Sequence, residues 1–290
     1  MISKLINFYM HLYKTGRGNF IVTDNKGYLV DQDWDILVNQ EYLHSYLSGI
    51  VGKSKPVDAE VLKDAIVHHL QAPIGSQELW ASGVTYLRSR DARMEESKKS
   101  GAADCYQMVY EASRPELFFK SLPHRVSAHH EPVFIRRDSS WNVPEPELTL
   151  MIDSKGNIGA YTVGNDMSSR SIEGENPLYL PQAKMYERAA SLGPCLYVPN
   201  QPIPLTTVIS IAIKRNDQCV FEGDVTLERM KRSLTELVSY LFREFSFQHG
   251  VMLMTGTGVV PPDDFTLETG DVVSITIEGI GTLTNTVATA

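Results

Sequence analysis

Little in this sequence suits cross-linking or metal clips made of sulfur. Its 290 residues include three cysteines. Cys105, Cys195 and Cys219 are far apart, odd in number and without a CxxC pair, which excludes a disulfide framework or a zinc ribbon and favours a reducing, cytoplasmic setting. No apolar run is long enough to span a bilayer, and the opening MISKLINFYMHLY lacks the small-residue cleavage site of a secretory signal. Neither membrane insertion nor export is expected. Positive charge is also scarce: 27 Lys and Arg against 35 Asp and Glu give a formal net charge of −8. That sign disfavours wrapping nucleic acid or coating an anionic membrane. Walker A, a dinucleotide GxGxxG, HExxH and GxSxG are missing, as are internal repeats and low-complexity tracts. A small molecule or a cation is the expected partner.

What is present is enough apolar material, 42% of residues, for a large domain plus a smaller one. Residues 8–31 read as a three-stranded meander with turns at Gly16-Arg17-Gly18 and Asn25-Lys26-Gly27. Segments 34–50 and 57–71 have helical spacing, closed by Pro73 and Gly75. The boundary falls near residue 72, giving a small N-terminal α+β domain (1–72) and a main domain (73–290). The main domain begins with a short strand at 81–87. A polar helical stretch at 91–99 follows, with too little apolar face for the core and suited to a mobile cover. Alternating strands such as Val208–Ile213 and Val273–Ile277 dominate the rest. One helix interrupts them, capped by Ser233 with Glu236. Leu234, Leu237, Val238, Leu241, Phe242 and Phe245 would form its buried stripe and Gly250 its stop. Strands around a packed helix, without regular βαβ alternation, indicate an α+β class with a mostly β, antiparallel or mixed sheet.

The most informative stretch is Pro144–Ile152. Alternation places Glu145 and Glu147 on one face of a strand, with Leu148, Leu150 and Ile152 on the other. Asp153-Ser154-Lys155-Gly156-Asn157 is a turn, and a hairpin about it pairs residues whose numbers sum to roughly 311. Asp166 then lies opposite Glu145, and Gly164 opposite Glu147. Three carboxylates at the open end of one hairpin repel unless a cation neutralises them; an all-oxygen set favours Mg²⁺, with Mn²⁺ or Ca²⁺ as alternatives. A solvated, acidic strand edge that resists aggregation is the competing reading.

Taken together, Glu145-Pro146-Glu147, the run Tyr161 to Arg170 with Asn165-Asp166, Gly193-Pro194, Thr255-Gly256-Thr257-Gly258 and Leu267 to Val272 resemble the fumarylacetoacetate hydrolase superfamily over roughly residues 80–290. The resemblance implies a rolled, mixed β-sandwich catalytic domain, usually dimeric or a dimer of dimers, that holds Mg²⁺ or Mn²⁺ through Glu145, Glu147 and Asp166 and grips a 2-oxo acid. It also implies that Lys184 stands beside the metal, that Thr257 holds the substrate carboxylate, and that Lys120, in the family's Phe-Lys stretch, lies on the substrate side. Hydrolases of the superfamily that cut carbon-carbon bonds carry a His and, three residues later, a Glu to activate water. Counted from Tyr86, those positions are Ser89 and Ala92 here. With Glu116 where an apolar residue is usual, and the Glu173-Gly174-Glu175-Asn176-Pro177 loop, the sequence looks like the branch of 2-keto-3-deoxy sugar acid dehydratases.

The expected reaction is loss of water from a 2-keto-3-deoxy pentonate such as 2-keto-3-deoxy-D-arabinonate, giving 2,5-dioxopentanoate, with Lys184 and Glu116 moving the protons. Which takes which proton is open, because a lysine accepts one only in its neutral form. Ser89 and Arg90 are candidates for holding the sugar hydroxyls, against a helix N-cap and a solvated arginine as the plainer reading. Two other functions compete. One is an acylpyruvate or fumarylpyruvate hydrolase whose water activator comes from elsewhere, His11, His68 and His69 being the nearest candidates by type. The other is a non-catalytic, metal-dependent binding module, which would have no use for Lys184.

Overall fold

The computed structural model describes residues 9–96 and 103–290. Two sheets face each other. The larger runs from edge to edge through Lys26–Val30, Gly18–Thr23, Tyr9–Thr15, Ala190–Pro199, Ile158–Asp166, Pro146–Ile152, Val251–Met254, Glu78–Gly83 and Glu116–Ser121. The smaller runs through Gln218–Thr226, Val208–Arg215, Val272–Ile277, Gly281–Thr289 and Val133–Ile135. Both are mixed, since Val251–Met254 pairs parallel to Glu78–Gly83 and Gly281–Thr289 parallel to Val133–Ile135. Among the described residues no helix is long and apolar enough to cross a membrane.

The hydrophobic pattern explains the layering. Leu148, Leu150 and Ile152 point into one apolar cluster with Ile209, Ile211, Ile275 and Leu283 of the small sheet. Met151 points the other way, into a second cluster with Leu12, Ile21, Leu37 and Leu47. The Pro146–Ile152 strand is thus buried on both faces, and Glu147 has to be accommodated in a wall rather than at a wet edge. The meander at Tyr9–Val30 forms as expected and continues the large sheet, Leu12 pairing with Leu196.

Three local expectations are corrected. The strand at 81–87 occupies Glu78–Gly83, and Leu87 already begins a helix, Leu87–Glu96; residues 97–99 of the anticipated helical stretch lie outside the described ones. The capped helix begins as expected, with Ser233 Oγ accepting from Glu236 N at 3.1 Å, but it ends at Leu241 with Phe242 as C-cap. Phe245 is 51% exposed beyond it, and Gly250 belongs to the turn that enters Val251–Met254. The sequence pattern ran on because aromatic residues continue past the point where the chain leaves the helix to stack Phe245, Phe247 and Trp80 together.

The 153–157 turn fixes the register of the central hairpin. Asp153 is buried; its Oδ1 accepts from Lys155 N at 2.8 Å and Asn157 N at 2.9 Å, and its Oδ2 from Asn157 Nδ2 at 2.9 Å. After a bulge between Ile158 and Ala160 the pairs are Tyr161 with Leu150 and Gly164 with Glu147, the register expected from the sequence. Asp153→Ala leaves two backbone donors without their acceptor and lowers stability by about 1–3 kcal/mol; a urea midpoint unchanged from the native protein would contradict this account of the turn.

Candidate active site

At the open end of the hairpin, Glu145 and Asp166 exchange backbone hydrogen bonds of 3.2 and 2.9 Å. Glu145, Glu147 and Asp166 are all buried, and each offers a carboxylate oxygen within 4.8 Å of the others. Such a group survives burial only if opposite charge is brought to it.

Four separate segments bring it. Lys184, at the end of the short helix Leu180–Lys184, places Nζ 2.5 Å from Glu145 Oε2, 3.0 Å from Asp166 Oδ2 and 2.6 Å from Ser168 Oγ. Lys120, on the Glu116–Ser121 edge strand, lies 2.5 Å from Asp166 Oδ1 and donates to the carbonyls of Met167 and Lys184 at 3.1 and 2.5 Å. From the helix Arg170–Glu175, Arg170 Nη2 donates to Glu145 Oε1 at 2.9 Å. Arg93, on Leu87–Glu96, pairs with buried Glu173 and stands 3.9 Å from Glu145 Oε1.

The charges answer this environment unequally. Burial pushes Asp166 upward, but Lys120 and Lys184 outweigh it and hold the carboxyl below its ordinary range. Burial and then the neighbouring Asp166 and Glu145 carboxylates drive Glu147 well above the usual carboxylate value. Glu147 accepts from Gly256 N at 2.6 Å, and among the described residues no cation lies within ion-pair distance of it. Gly256 is required there: its φ is 90°, and a Cβ would meet Thr85 Oγ1 at 2.0 Å. Burial raises Glu116 also, partly offset by Arg93 and Lys184, while burial lowers Lys120 against the pull of Asp166.

The expected site residues do not all meet. A small cavity of about 10 Å³ is lined by the three carboxylates with Lys184, Ser89, Arg93 and Thr257 among others, room for about one water. Ser89 Oγ donates to Tyr86 O at 2.8 Å, and Thr257 Oγ1 to Val259 O at 2.9 Å, so both hydroxyl protons serve their own turns. Arg90 turns away; it pairs with Asp91 at 2.6 Å and lies over the Tyr110 ring. Glu116 is half-buried as a residue, but its Oε2 is enclosed and rests where a Cβ on Gly83 would stand, 2.0 Å away. Its other side borders a cavity of about 390 Å³ with Tyr106, Arg114 and Leu180.

Arg93, Arg170, Glu173 and Ser168 are not among the site residues expected from the sequence, although Arg170 and Glu173 fall in its motifs. Arg170 and Glu173 stand three apart on a helix and Ser89 and Arg93 four apart, so helical periodicity would have put each pair on one face. His11 is bonded to Gly279 O at 2.7 Å, and His69 faces Asp64 at 3.5 Å; His68 ends the helix Ala59–His68, and neither it nor the other two lines the cavity.

Chemically the arrangement offers hard oxygen ligands, the Lys184 nitrogen on two of them, and a carboxyl whose proton is retained to higher pH than usual. A model of the fumarylacetoacetate hydrolase C-terminal family matches residues 92–288. The chain is 47% identical over 234 residues to a protein of Haloferax volcanii described as a probable 2-keto-3-deoxyxylonate dehydratase, covering 80% of each. It is 39% identical over 249 residues to the 2-dehydro-3-deoxy-D-arabinonate dehydratase of Saccharolobus solfataricus, covering 84% of this chain and 82% of that protein. Among solved structures, a 2-keto-3-deoxy-D-arabinonate dehydratase complexed with magnesium and 2,5-dioxopentanoate superposes with a TM-score of 0.81 at 33% identity, over 97% of this chain and 99% of that one. With its mixed two-sheet architecture and buried acidic cluster, the chain belongs to the fumarylacetoacetate hydrolase family.

Proposed function

We propose that this protein is a divalent-cation-dependent hydro-lyase that removes water from a 2-keto-3-deoxy sugar acid, 2-keto-3-deoxy-D-arabinonate or a close relative, to give 2,5-dioxopentanoate. The observation that carries the reading is a buried three-carboxylate cluster bonded to Lys184, with the charge of both felt by Glu116, whose carboxyl burial raises. The naming of two relatives as dehydratases of such acids supports the substrate class.

The donor set fits magnesium. All three groups are hard oxygens, and Glu147 is buried among like charges with no cation in ion-pair reach among the described residues. Counted formally, the buried cluster holds five carboxylates (Glu116, Glu145, Glu147, Asp166 and Glu173) against four cations (Arg93, Lys120, Arg170 and Lys184). A divalent ion and a monoanionic substrate together cancel the excess. When bound, the ion supplies Lewis-acid stabilisation of the enolate that forms as a proton leaves C3.

The protein groups then handle protons and water. Lys184, held by Glu145, Asp166 and Ser168, is the group for the C3 proton. Glu116 is the acid for the departing C4 hydroxyl: burial keeps its proton available, and Gly83 gives it room. The C3–H and C4–O bonds break, C3=C4 forms, and water leaves. A proton shift from C5 through the conjugated system yields the dienol of 2,5-dioxopentanoate, with no change of overall oxidation state. A hydrolase would instead need a base for attacking water, and the two positions where the superfamily carries it are Ser89, engaged with Tyr86, and Ala92.

With Mg²⁺ the purified protein converts 2-keto-3-deoxy-D-arabinonate to the semialdehyde, and EDTA abolishes the conversion until Mg²⁺ is restored. Cleavage of acylpyruvates with no dehydration would overturn the reading. Glu116→Gln lowers kcat by about 10²-fold or more while pyruvate, the bare 2-oxo acid end, binds as before by calorimetry; native turnover in this variant would remove Glu116 from the chemistry.

A further inference from the structure

The wall of the cavity facing the carboxylates is the helix Leu87–Glu96, and the charged group it contributes is Arg93. Arg93 is 4% exposed and Glu173, behind it, is fully buried. The guanidinium pairs with Glu173 and approaches Glu145 Oε1 to 3.9 Å. Guanidinium has five N–H donors in a planar fork. A single carboxylate takes two at most, so donors remain in the cavity wall. Beyond its partner Glu173, Arg93 feels the charge of Glu145 and then of Glu116, and Tyr106 packs at its side.

The site has a direction. One end holds the three carboxylates and Lys184, where a 2-oxo acid would be gripped. Glu116 is the acid assigned to the C4 hydroxyl, and Arg93 is the cation whose charge bears on it most, so substrate carbons beyond C4 would run near Arg93. The cavity has room for about one water, so a five-carbon acid needs its lining to shift, and Arg93 is the charged group of the helix wall that the tail would meet.

We propose that Arg93, backed by Glu173, determines specificity for the end of the substrate remote from the 2-oxo acid, selecting a hydroxyl tail over a carboxylate tail. The inference rests on the dehydratase reading above. Its physical basis is charge: the Arg93–Glu173 pair is formally neutral, so it offers hydrogen-bond donors without net attraction for an anion. A hydroxyl accepts from the free donors. A second carboxylate beside Arg93 would feel the charges of Glu173, Glu145 and Glu116 and find its countercharge already taken. Arg90, the sequence candidate for this task, instead pairs with Asp91 outside the cavity lining.

The test uses the Mg²⁺-loaded protein and three compounds: 2-keto-3-deoxy-D-arabinonate, pyruvate, which has only the gripped end, and 2-oxoglutarate, a five-carbon 2-oxo acid with a distal carboxylate. Loss of a charged hydrogen bond in Arg93→Met raises KM for the sugar acid by about tenfold or more, while pyruvate Kd by calorimetry stays within about twofold. Arg93→Lys, which keeps a cation beside Glu173 and so protects the fold, shows a smaller rise. In Glu173→Gln the released charge tightens 2-oxoglutarate by about tenfold with pyruvate unchanged. A pyruvate Kd that rises together with KM would show that Arg93 acts on the gripped end or the fold. An unchanged KM in both arginine variants, or unchanged 2-oxoglutarate binding in Glu173→Gln, would equally overturn the proposal. If the native protein fails to dehydrate the sugar acid, the functional reading falls, and the pyruvate against 2-oxoglutarate comparison still decides the selectivity.

Discussion

Burial of Glu145, Glu147 and Asp166 at the end of a central hairpin is the constraint to which the surrounding chain responds. An ionised carboxylate taken out of water costs several kcal/mol unless it is paired. These three sit in a strand pair covered on both faces by apolar clusters, so solvent cannot supply the compensation. The compensation comes from Lys120, Arg170, Lys184 and Arg93, none of which is on the hairpin strands. The excursion between Ser168 and Ala190, two short helices and a 3₁₀ turn between two long strands, exists in this view to carry Arg170, Glu173 and Lys184 back over the carboxylates. The edge strand reaches in with Lys120 for the same reason.

The compensation is uneven, and the unevenness is informative. Asp166 has two lysines and is held in its charged form; Glu147 has a backbone amide and is pushed toward its neutral form. A site meant only to be stable would distribute its cations to all three, or replace the cluster with apolar residues of similar volume, which costs less. Leaving one carboxylate dependent on an external positive charge makes cation binding and local structure parts of one equilibrium. It also ties substrate charge to the same balance, since a bound divalent ion leaves an excess that a monoanion removes.

Sequence patterning revealed the parts governed by short-range rules. Alternation put Glu145 and Glu147 on one face. The turn chemistry of Asp153 to Asn157 set a register that brings Asp166 opposite Glu145 and that the backbone bonds bear out. Family-like motifs added Lys184 and the two-sheet architecture. Less legible was whatever depended on burying charge. The Leu87–Glu96 helix reads as solvent-facing because it lacks an apolar stripe, yet Ala92 and Arg93 are buried because the surface beneath them is acidic. Hydrophobic periodicity has no symbol for a helix that packs through an ion pair. Similarly, the aromatic run through Phe245 reads as helix stripe, whereas Phe245 and Phe247 pack against Trp80 after the helix has ended. The pairing of Tyr9–Thr15 with Ala190–Pro199 joins residues 184 to 190 positions apart, Leu12 with Leu196 and Tyr9 with Pro199, a pairing that no local pattern encodes.

The same cluster can serve different bond cleavages, and what distinguishes them is where the protons are handled. Carbon-carbon hydrolysis needs a base poised over attacking water; elimination needs an acid over a leaving hydroxyl and an acceptor for the proton beside the keto group. In this chain the positions suited to the water activator hold a serine whose hydroxyl is bonded to Tyr86 and an alanine. A carboxyl stands instead on the strand edge at Glu116, where Gly83 makes space for it and burial raises its proton affinity. Under the dehydratase reading the titratable group stands on the strand rather than on the helix, beside the same three carboxylates and Lys184. The pairing of Glu116 with Gly83 is therefore more diagnostic of the proposed chemistry than the acidic cluster, which both reactions require.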